Sequence, residues 1–381
     1  MTSVPTATDR WLRVRPRSAT GTSAVAAAPA RFHATIPGFA PTPTVMLDAL
    51  AQALDLGQVA VKHDAERLGL PAYKVLGGSW ALHEAVRRRL PDAPAHLPWP
   101  ALAEAIATLA PVTLITATDG NHGRGIAALA ERLGVQAHIT VPHDMIPSRI
   151  AAIRGHGAAV TVVPGGYDDA VRLAAEWAAT RGWWLCTDTA TAAPDDPGAP
   201  FARDVQDGYH TLFGELCDAL PRDPDVLFVQ AGVGALAAGA AGFLAARGAT
   251  TRLVVVEPTG SACVLASLRA DAPTLVADDY SVMAGLRTQA ISAVAWPLLR
   301  ARVDAAVAID DATAIRAMQR LAEAGLVSGE SGAAGLGGLL AAAADPELRA
   351  ALGLGPTSLV ACVVTEGRTD PDAAARLAAL T

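Results

Sequence analysis

Only two of the 30 basic residues in this 381-residue chain are lysine, Lys62 and Lys74, and both fall in the stretch VKHDAERLGLPAYKVLGG at 61–78. An alanine- and arginine-rich composition of this kind points to GC-rich coding, which explains why lysine is scarce but not why these two persist. Arginine serves in most ion pairs and phosphate contacts, whereas imine chemistry needs an amine whose pKa can fall, and a guanidinium stays protonated. A lysine nucleophile is therefore one chemistry to look for, with an ordinary ion-pair role as its alternative. Three glycine-rich segments suggest a second chemistry: TATDGNHGRG (116–125), QAGVGALAAG (230–239) and TEGRTD (365–370). Where such a turn leads from a strand into a helix, backbone N–H groups and the helix dipole both point at a bound anion. Close helix-to-strand packing demands the same small residues, and GVGALAAG alone matches a dinucleotide fingerprint only loosely.

The elements that must position these residues alternate between strand and helix. PVTLIT (111–116) reads as a buried strand, HGRGIAALAERLG (122–134) as a helix stopped by glycine, and QAHITVP (136–142) as the next strand. SRIAAIRGHG with AAVTVVP, then YDDAVRLAAEWAATRG with WWLCTD, repeat the pattern. A second run follows in DVLFVQ (225–230) with a helix from about Ala235, RLVVVEP (252–258) with SACVLASLRA, and TSLVACVVTEG (357–367). Such βαβ units imply parallel sheets flanked by helices. The Pro- and Asp-rich stretch at 191–204 reads as a long surface loop or lobe boundary. Residues 1 to about 30 are expected to be loosely ordered. The expectation is an α/β protein of two lobes with a cleft between them, its ligand near the carboxyl ends of strands.

Composition narrows the partners. The chain is 51% hydrophobic and 18% charged, but the apolar excess is alanine and no uninterrupted apolar run reaches the ~20 residues of a membrane span, so no membrane partner is expected. A net charge of -7 without a basic cluster argues against nucleic acid. Cys186, Cys217, Cys263 and Cys362 show no CxxC spacing, so neither a zinc site nor a disulfide framework is indicated, no metal is expected, and a cytoplasmic setting fits. The stretch AVAAAPA is too short and proline-broken for the apolar core of a signal peptide. A small molecule is the expected partner.

A lysine, an anion cradle and an asparagine-bearing turn at separate strand ends together suggest pyridoxal 5'-phosphate, whose aldehyde takes the amine and whose phosphate takes the cradle. In order, ERLGLPAYKVLGGSWA, TATDGNHGRGIA, IRGHGAAVTVVPGGYDDAV, QAGVGALAAG, EPTGSACVLAS, MAGLRTQAISAVAWPLL, SGESGAAGLG and TEGRTD resemble the diaminopropionate ammonia-lyases, from about Arg31 to Asp370. These are fold-type II pyridoxal-phosphate enzymes of the tryptophan-synthase β kind. The resemblance implies a larger cofactor-binding lobe of residues 31–85 plus 206–381, a smaller lobe of 86–205, the cofactor in the cleft between them, and a homodimer. It makes Lys74 the Schiff-base lysine and Asn121 the partner of the cofactor's phenolic oxygen. Gly232, Val233, Gly234, Ala235 and Leu236 would wrap the phosphate, and Thr365 would face the pyridine nitrogen. A neutral hydroxyl there leaves that nitrogen less readily protonated, which suits elimination over transamination.

Asp119 would be a second base on the substrate face opposite Lys74, so that either enantiomer could lose its α-proton; a helix N-cap is its competing role. Asp188 would orient the substrate's amino group. The family tends to continue from there with a Trp-Glu-Gly-Tyr-like segment, whereas 191–204 differs, which bears on substrate identity. It also tends to read Lys-Asp-Glu-Ser where this chain has Lys62, His63, Asp64 and Ala65. Lys62 is expected in an ion pair, His122 in packing beside the cofactor, Glu330 of SGESG near the ring, and Trp183 and Trp184 in the core or between lobes. The implied reaction is α,β-elimination of 2,3-diaminopropionate to pyruvate and ammonia. A related dehydratase or β-replacement enzyme acting on serine, threonine or another β-substituted amino acid is the alternative.

Overall fold

The computed structural model describes residues 11–13, 27–118, 120–277 and 279–369. Eleven strands lie among them: β1 (Trp11–Arg13), β2 (Thr44–Met46), β3 (Gln58–His63), β4 (Thr113–Ala117), β5 (Gln136–Val141), β6 (Ala159–Val162), β7 (Trp184–Leu185), β8 (Val226–Gln230), β9 (Arg252–Pro258), β10 (Val303–Ile309) and β11 (Leu359–Val364). They form a seven-stranded sheet in the order β1-β10-β9-β8-β11-β3-β2 and a four-stranded sheet in the order β6-β5-β4-β7. The two edge strands of the larger sheet pair antiparallel. Every other pairing in either sheet is parallel. This is the α/β architecture, rich in parallel strands, that the alternating pattern implies.

Parallel strands covered on both faces become near-continuous apolar runs. Accordingly β8, β10 and β11 are buried along their whole length. Gln230, the last residue of β8, is the polar exception in that strand. The helix Val75–Arg89 begins immediately after Lys74 and packs on the helix Ala199–Gly208. Backbone contact makes this crossing possible: a Cβ on Gly208 would come within 2.8 Å of the Gly77 Cα, and one on Gly77 within 2.8 Å of the Tyr209 ring. The close crossing seats the first turn of the lysine-bearing helix.

Three expectations about local structure change. The stretch 191–204 is a loop only in its first part, because the helix Ala199–Gly208 starts inside it, opened by a proline in its first turn. The segment WWLCTD contributes only Trp184 and Leu185 to the smaller sheet. Within residues 1–30, Trp11–Arg13 form an edge strand on β10 and a helix starts at Ala28, while 1–10 and 14–26 lie outside the described residues. Trp183 packs with Trp177, His138 and Arg181, and Arg89 lies 3.9 Å over the Trp184 ring, so both tryptophans hold a cation and Trp183 aromatic rings as well.

Lys62 answers half of the lysine question. It is fully buried on β3 and donates to Glu215 Oε2 at 2.6 Å and to the Thr42 carbonyl. Arg67 grips the same Glu215 through two nitrogens at 2.8 and 2.9 Å and Asp64 through two more bonds at 2.8 and 3.1 Å. Two buried cations thus meet the buried Asp64 and the partly buried Glu215. Burial pulls the Lys62 ammonium below its ordinary pKa, and Glu215 opposes it. Removing one partner of such a cluster leaves an uncompensated charge, so Glu215→Ala is expected to cost about 3–5 kcal/mol in chemical denaturation. An unfolding midpoint that stays at the wild-type value would contradict this account of the cluster.

Candidate active site

Four strand-to-helix junctions and strand ends converge on one cleft. Lys74 is the residue before the helix Val75–Arg89, Asn121 opens the helix Asn121–Leu133, Ala235 opens the helix Ala235–Arg247, and Thr365 directly follows β11. All four line the cleft, together with Asp188 after β7. The sequence-derived residues Gly232, Val233, Gly234 and Leu236 line it as well. Asp119 lies outside the described residues.

The glycine loop has the properties of an anion cradle. Gly234 takes φ +91°, a left-handed conformation that glycine adopts without strain, and a Cβ there would come 2.9 Å from Leu299 Cδ1. A Cβ on Gly232 would press to 3.3 Å from the Gly285 carbonyl oxygen. The Ala238 N–H bonds the Gly234 carbonyl, whereas the N–H groups of residues 232–236 find no acceptor among the described residues. The Ser292 N–H holds the Val233 carbonyl from behind at 2.9 Å. Unpaired N–H groups at a helix N-terminus, with no side chain to screen them, fit a phosphate.

A dinucleotide-binding loop needs an acidic partner for the ribose, and Glu257, the acid that follows GVGALAAG in the chain, is committed elsewhere. It is fully buried at the end of β9 and accepts from the Val264 and Leu265 N–H groups at 2.7 and 2.8 Å, capping the next helix. Burial pushes its carboxyl up to about 7, against those bonds. This removes the dinucleotide alternative for GVGALAAG.

Lys74 Nζ donates to Asp188 Oδ2 at 2.6 Å. Burial favours a neutral lysine, yet the Asp188 carboxylate outweighs it and holds the ammonium above the ordinary lysine range. Asp188 in turn lies below the usual carboxylate range, since His122 and Lys74 overcome the effect of its burial. His122 is buried, with Nε2 at 2.8 Å from the Cys186 carbonyl and Nδ1 at 3.8 Å from Asp188 Oδ2. Burial lowers its pKa and Asp188 opposes that, and Nε2 donates to the carbonyl, which can only accept.

Asn121 donates through Nδ2 to Glu366 Oε2. Glu366 is buried, and desolvation raises its pKa against the pull of Arg149. Glu366 lies beside Thr365 in TEGRTD, and nothing in that motif marks it as a cleft residue. Glu330 is expected at the ring, whereas Ser331 lines the cleft and Glu330 does not. Arg149, Tyr167 and Arg287 are further cleft residues missed from the sequence. Tyr167 lies within IRGHGAAVTVVPGGYDDAV and Arg287 within MAGLRTQAISAVAWPLL, but neither motif singles them out, Arg149 lies in none, and only the folded chain brings the three together. Thr365 Oγ1 accepts from Gln230 Nε2 at 2.8 Å. Among the described residues the cleft carries Lys74, Arg149 and Arg287 against Asp188 and Glu366, a cationic excess suited to a phosphate and a carboxylate.

An amine paired to a carboxylate beside a bare amide cradle, at the carboxyl ends of parallel strands, defines the pyridoxal-phosphate class of site. Residues 36–366 match the family described as pyridoxal-phosphate dependent enzymes. The chain is 34% identical over 361 residues to the diaminopropionate ammonia-lyase of Salmonella typhimurium, covering 90% of this chain and 88% of the relative. The crystal structure of the Escherichia coli diaminopropionate ammonia lyase in complex with D-serine superposes with a TM-score of 0.85 at 31% identity, covering 93% of this chain and 92% of that one. The same enzyme in complex with an aminoacrylate-PLP azomethine reaction intermediate gives a TM-score of 0.83 at 29% identity and 97% coverage of each chain. The chain belongs to the diaminopropionate ammonia-lyase family of pyridoxal-phosphate dependent enzymes. It is a carbon–nitrogen lyase that uses pyridoxal phosphate.

The Lys74–Asp188 pair fixes a pH dependence. Because Asp188 holds the Lys74 proton and burial opposes it, Asp188→Asn removes the stabilising charge and leaves the desolvation, so the lysine pKa falls. The rate at which cofactor-free protein takes up pyridoxal phosphate, followed by absorbance, is expected to rise through its midpoint at lower pH in the variant. An unmoved midpoint would show that Asp188 does not control the amine.

Proposed function

We propose that this protein eliminates ammonia from D- or L-2,3-diaminopropionate, with Lys74, Asp188 and Asp119 as the acting side chains. The observation that carries the reading is the Lys74–Asp188 ion pair set beside an amide cradle with unpaired N–H groups. Bound pyridoxal phosphate supplies the electron sink that makes the substrate's α-proton acidic. The N–H groups of residues 232–236 would hold the phosphate, Asn121 the phenolic oxygen and Thr365 the pyridine nitrogen. Lys74 is the amine that would take the cofactor's aldehyde carbon.

Asp188 already holds one ammonium at 2.6 Å, and it is the counter-charge for the substrate's amino group at the same point. Lys74 Nζ would take the α-proton of the L-isomer. Asp119, carried here by its place in the sequence between Thr118 and Gly120, would take that of the D-isomer. Loss of the α-proton expels the β-amino group as ammonia, and the released three-carbon enamine hydrolyses to pyruvate and a second ammonia.

We further propose that the two sheets mark two lobes, residues 31–85 with 206–381 and residues 86–205, and that the protein is a cytoplasmic homodimer. The resemblance to the family supports the lobes and the dimer. Four buried, unpaired cysteines are compatible with a reducing compartment. No helix among the described residues is long and apolar enough to cross a membrane.

Lys74→Ala is expected to abolish pyruvate formation from both isomers, and substantial turnover without the amine would end this assignment. Asp119→Asn is expected to slow the D-isomer by roughly 10²–10⁴-fold, the usual scale of a general base, and the L-isomer far less. Equal losses on the two isomers, compared by kcat/KM, would remove the face-specific role of Asp119.

A further inference from the structure

Gln230 is a buried polar residue in the wall of the cleft. It ends β8, and Thr365 follows β11, the neighbouring strand of the same sheet. Gln230 is 2% exposed and Thr365 4%. The Gln230 side-chain nitrogen has four oxygens around it: Thr365 Oγ1 at 2.8 Å, the Val363 and Gly332 carbonyls at 3.1 Å, and the Ser331 carbonyl at 3.3 Å. Three carbonyls at this range fix the orientation of the amide, because the oxygen in that place would face three other acceptors. Gln230 Oε1 has no hydrogen-bond partner among the described residues.

The consequence falls on Thr365. Its oxygen receives a hydrogen from Gln230, and its own hydroxyl hydrogen meets no acceptor among the described residues. The nearby carbonyls that could draw that hydrogen are engaged by Gln230. A buried hydroxyl so placed is satisfied only by donating to whatever lies in the cleft. Were that group itself an N–H, two donors would meet at one oxygen and the threonine hydrogen would stay unpaired.

We infer that Gln230 is a positioning residue that commits the Thr365 hydroxyl to donate toward the cofactor's pyridine nitrogen, and so keeps that nitrogen unprotonated. This rests on the placement of Thr365 opposite the nitrogen given under the proposed function. Gln230 acts through Thr365 and touches no reacting atom. An unprotonated ring withdraws less charge from the substrate's α-carbon, which favours prompt expulsion of the β-amino group over reprotonation elsewhere.

The test is the ¹⁵N resonance of pyridoxal phosphate labelled at the ring nitrogen and bound to the holoenzyme, recorded across neutral and mildly alkaline pH. Wild type is expected to show the unprotonated pyridine position with no titration. Gln230→Glu offers the threonine hydrogen an acceptor, and Gln230→Met frees the Val363 and Gly332 carbonyls to accept it. In each variant the hydroxyl turns away, its lone pair faces the ring, and the resonance is expected to move toward the pyridinium position with a pH dependence that wild type lacks. Gln230→Met keeps the test open if the glutamate is not tolerated among the carbonyls. A wild-type resonance already at the pyridinium position, or a wild-type resonance retained in a folded, cofactor-loaded Gln230→Met, would overturn the inference. Thr365→Val separates the two levels: if it leaves the wild-type resonance untouched, the placement of Thr365 has failed, whereas a shift there with none in the Gln230 variants faults Gln230 alone.

Discussion

The site depends on one contact, the 2.6 Å ion pair between Lys74 and Asp188. Lys74 stands at the entry to a helix, directly after Tyr73, whose N–H bonds the Thr365 carbonyl at the end of β11 in the larger sheet, and Asp188 follows the last strand of the smaller one. The pair therefore ties the two sheets across the cleft as well as setting the charge of the amine. Taking two charges out of water is costly, and each alone would be driven toward neutrality. Together they hold each other ionised, and His122 adds its influence on the same carboxylate. The lysine proposed for imine chemistry is thus held in place and charged by this carboxylate.

The same chain solves two buried-charge problems differently. Around Lys62, cations and carboxylates face one another with bonds to spare, and Arg67 supplies the rigid fork. None of Lys62, Asp64, Arg67 and Glu215 lines the cleft. At Lys74 a single carboxylate is shared, and the neighbouring polar groups, the amide N–H groups of residues 232–236 and the Thr365 hydroxyl, find no acceptor among the described residues. Unspent donors in a buried place cost free energy in isolation, and they identify the wall of the cleft as a binding surface.

Much of this was legible in the sequence because the relevant signals are local. The alternation of apolar runs and glycine-stopped helices yields the parallel sheets, and the glycine turns mark the helix N-termini. The isolation of two lysines in a chain of arginines marks Lys74, and the ordered motifs assign it. What was not legible is set by contacts between distant segments. Gln230 and Thr365 meet only because β8 and β11 are neighbours, and the Asn121–Glu366 bond joins a helix of one sheet to a strand end of the other. β10 carries no such local signal, because Val303–Ile309 contains Asp304 and follows the helix Trp296–Arg302 without a turn. The helix at Ala199–Gly208 was masked by the prolines and aspartates before it, which mark its beginning and not a continuing loop.

The most direct test of the account is the product balance of the purified holoenzyme with D- and L-2,3-diaminopropionate, serine and threonine, assaying keto acid and ammonia together. The account predicts that diaminopropionate gives the highest kcat/KM and releases a second ammonia for each pyruvate. A higher kcat/KM on serine or threonine, with a single ammonia for each keto acid, would contradict it and make the protein a dehydratase built on the same site.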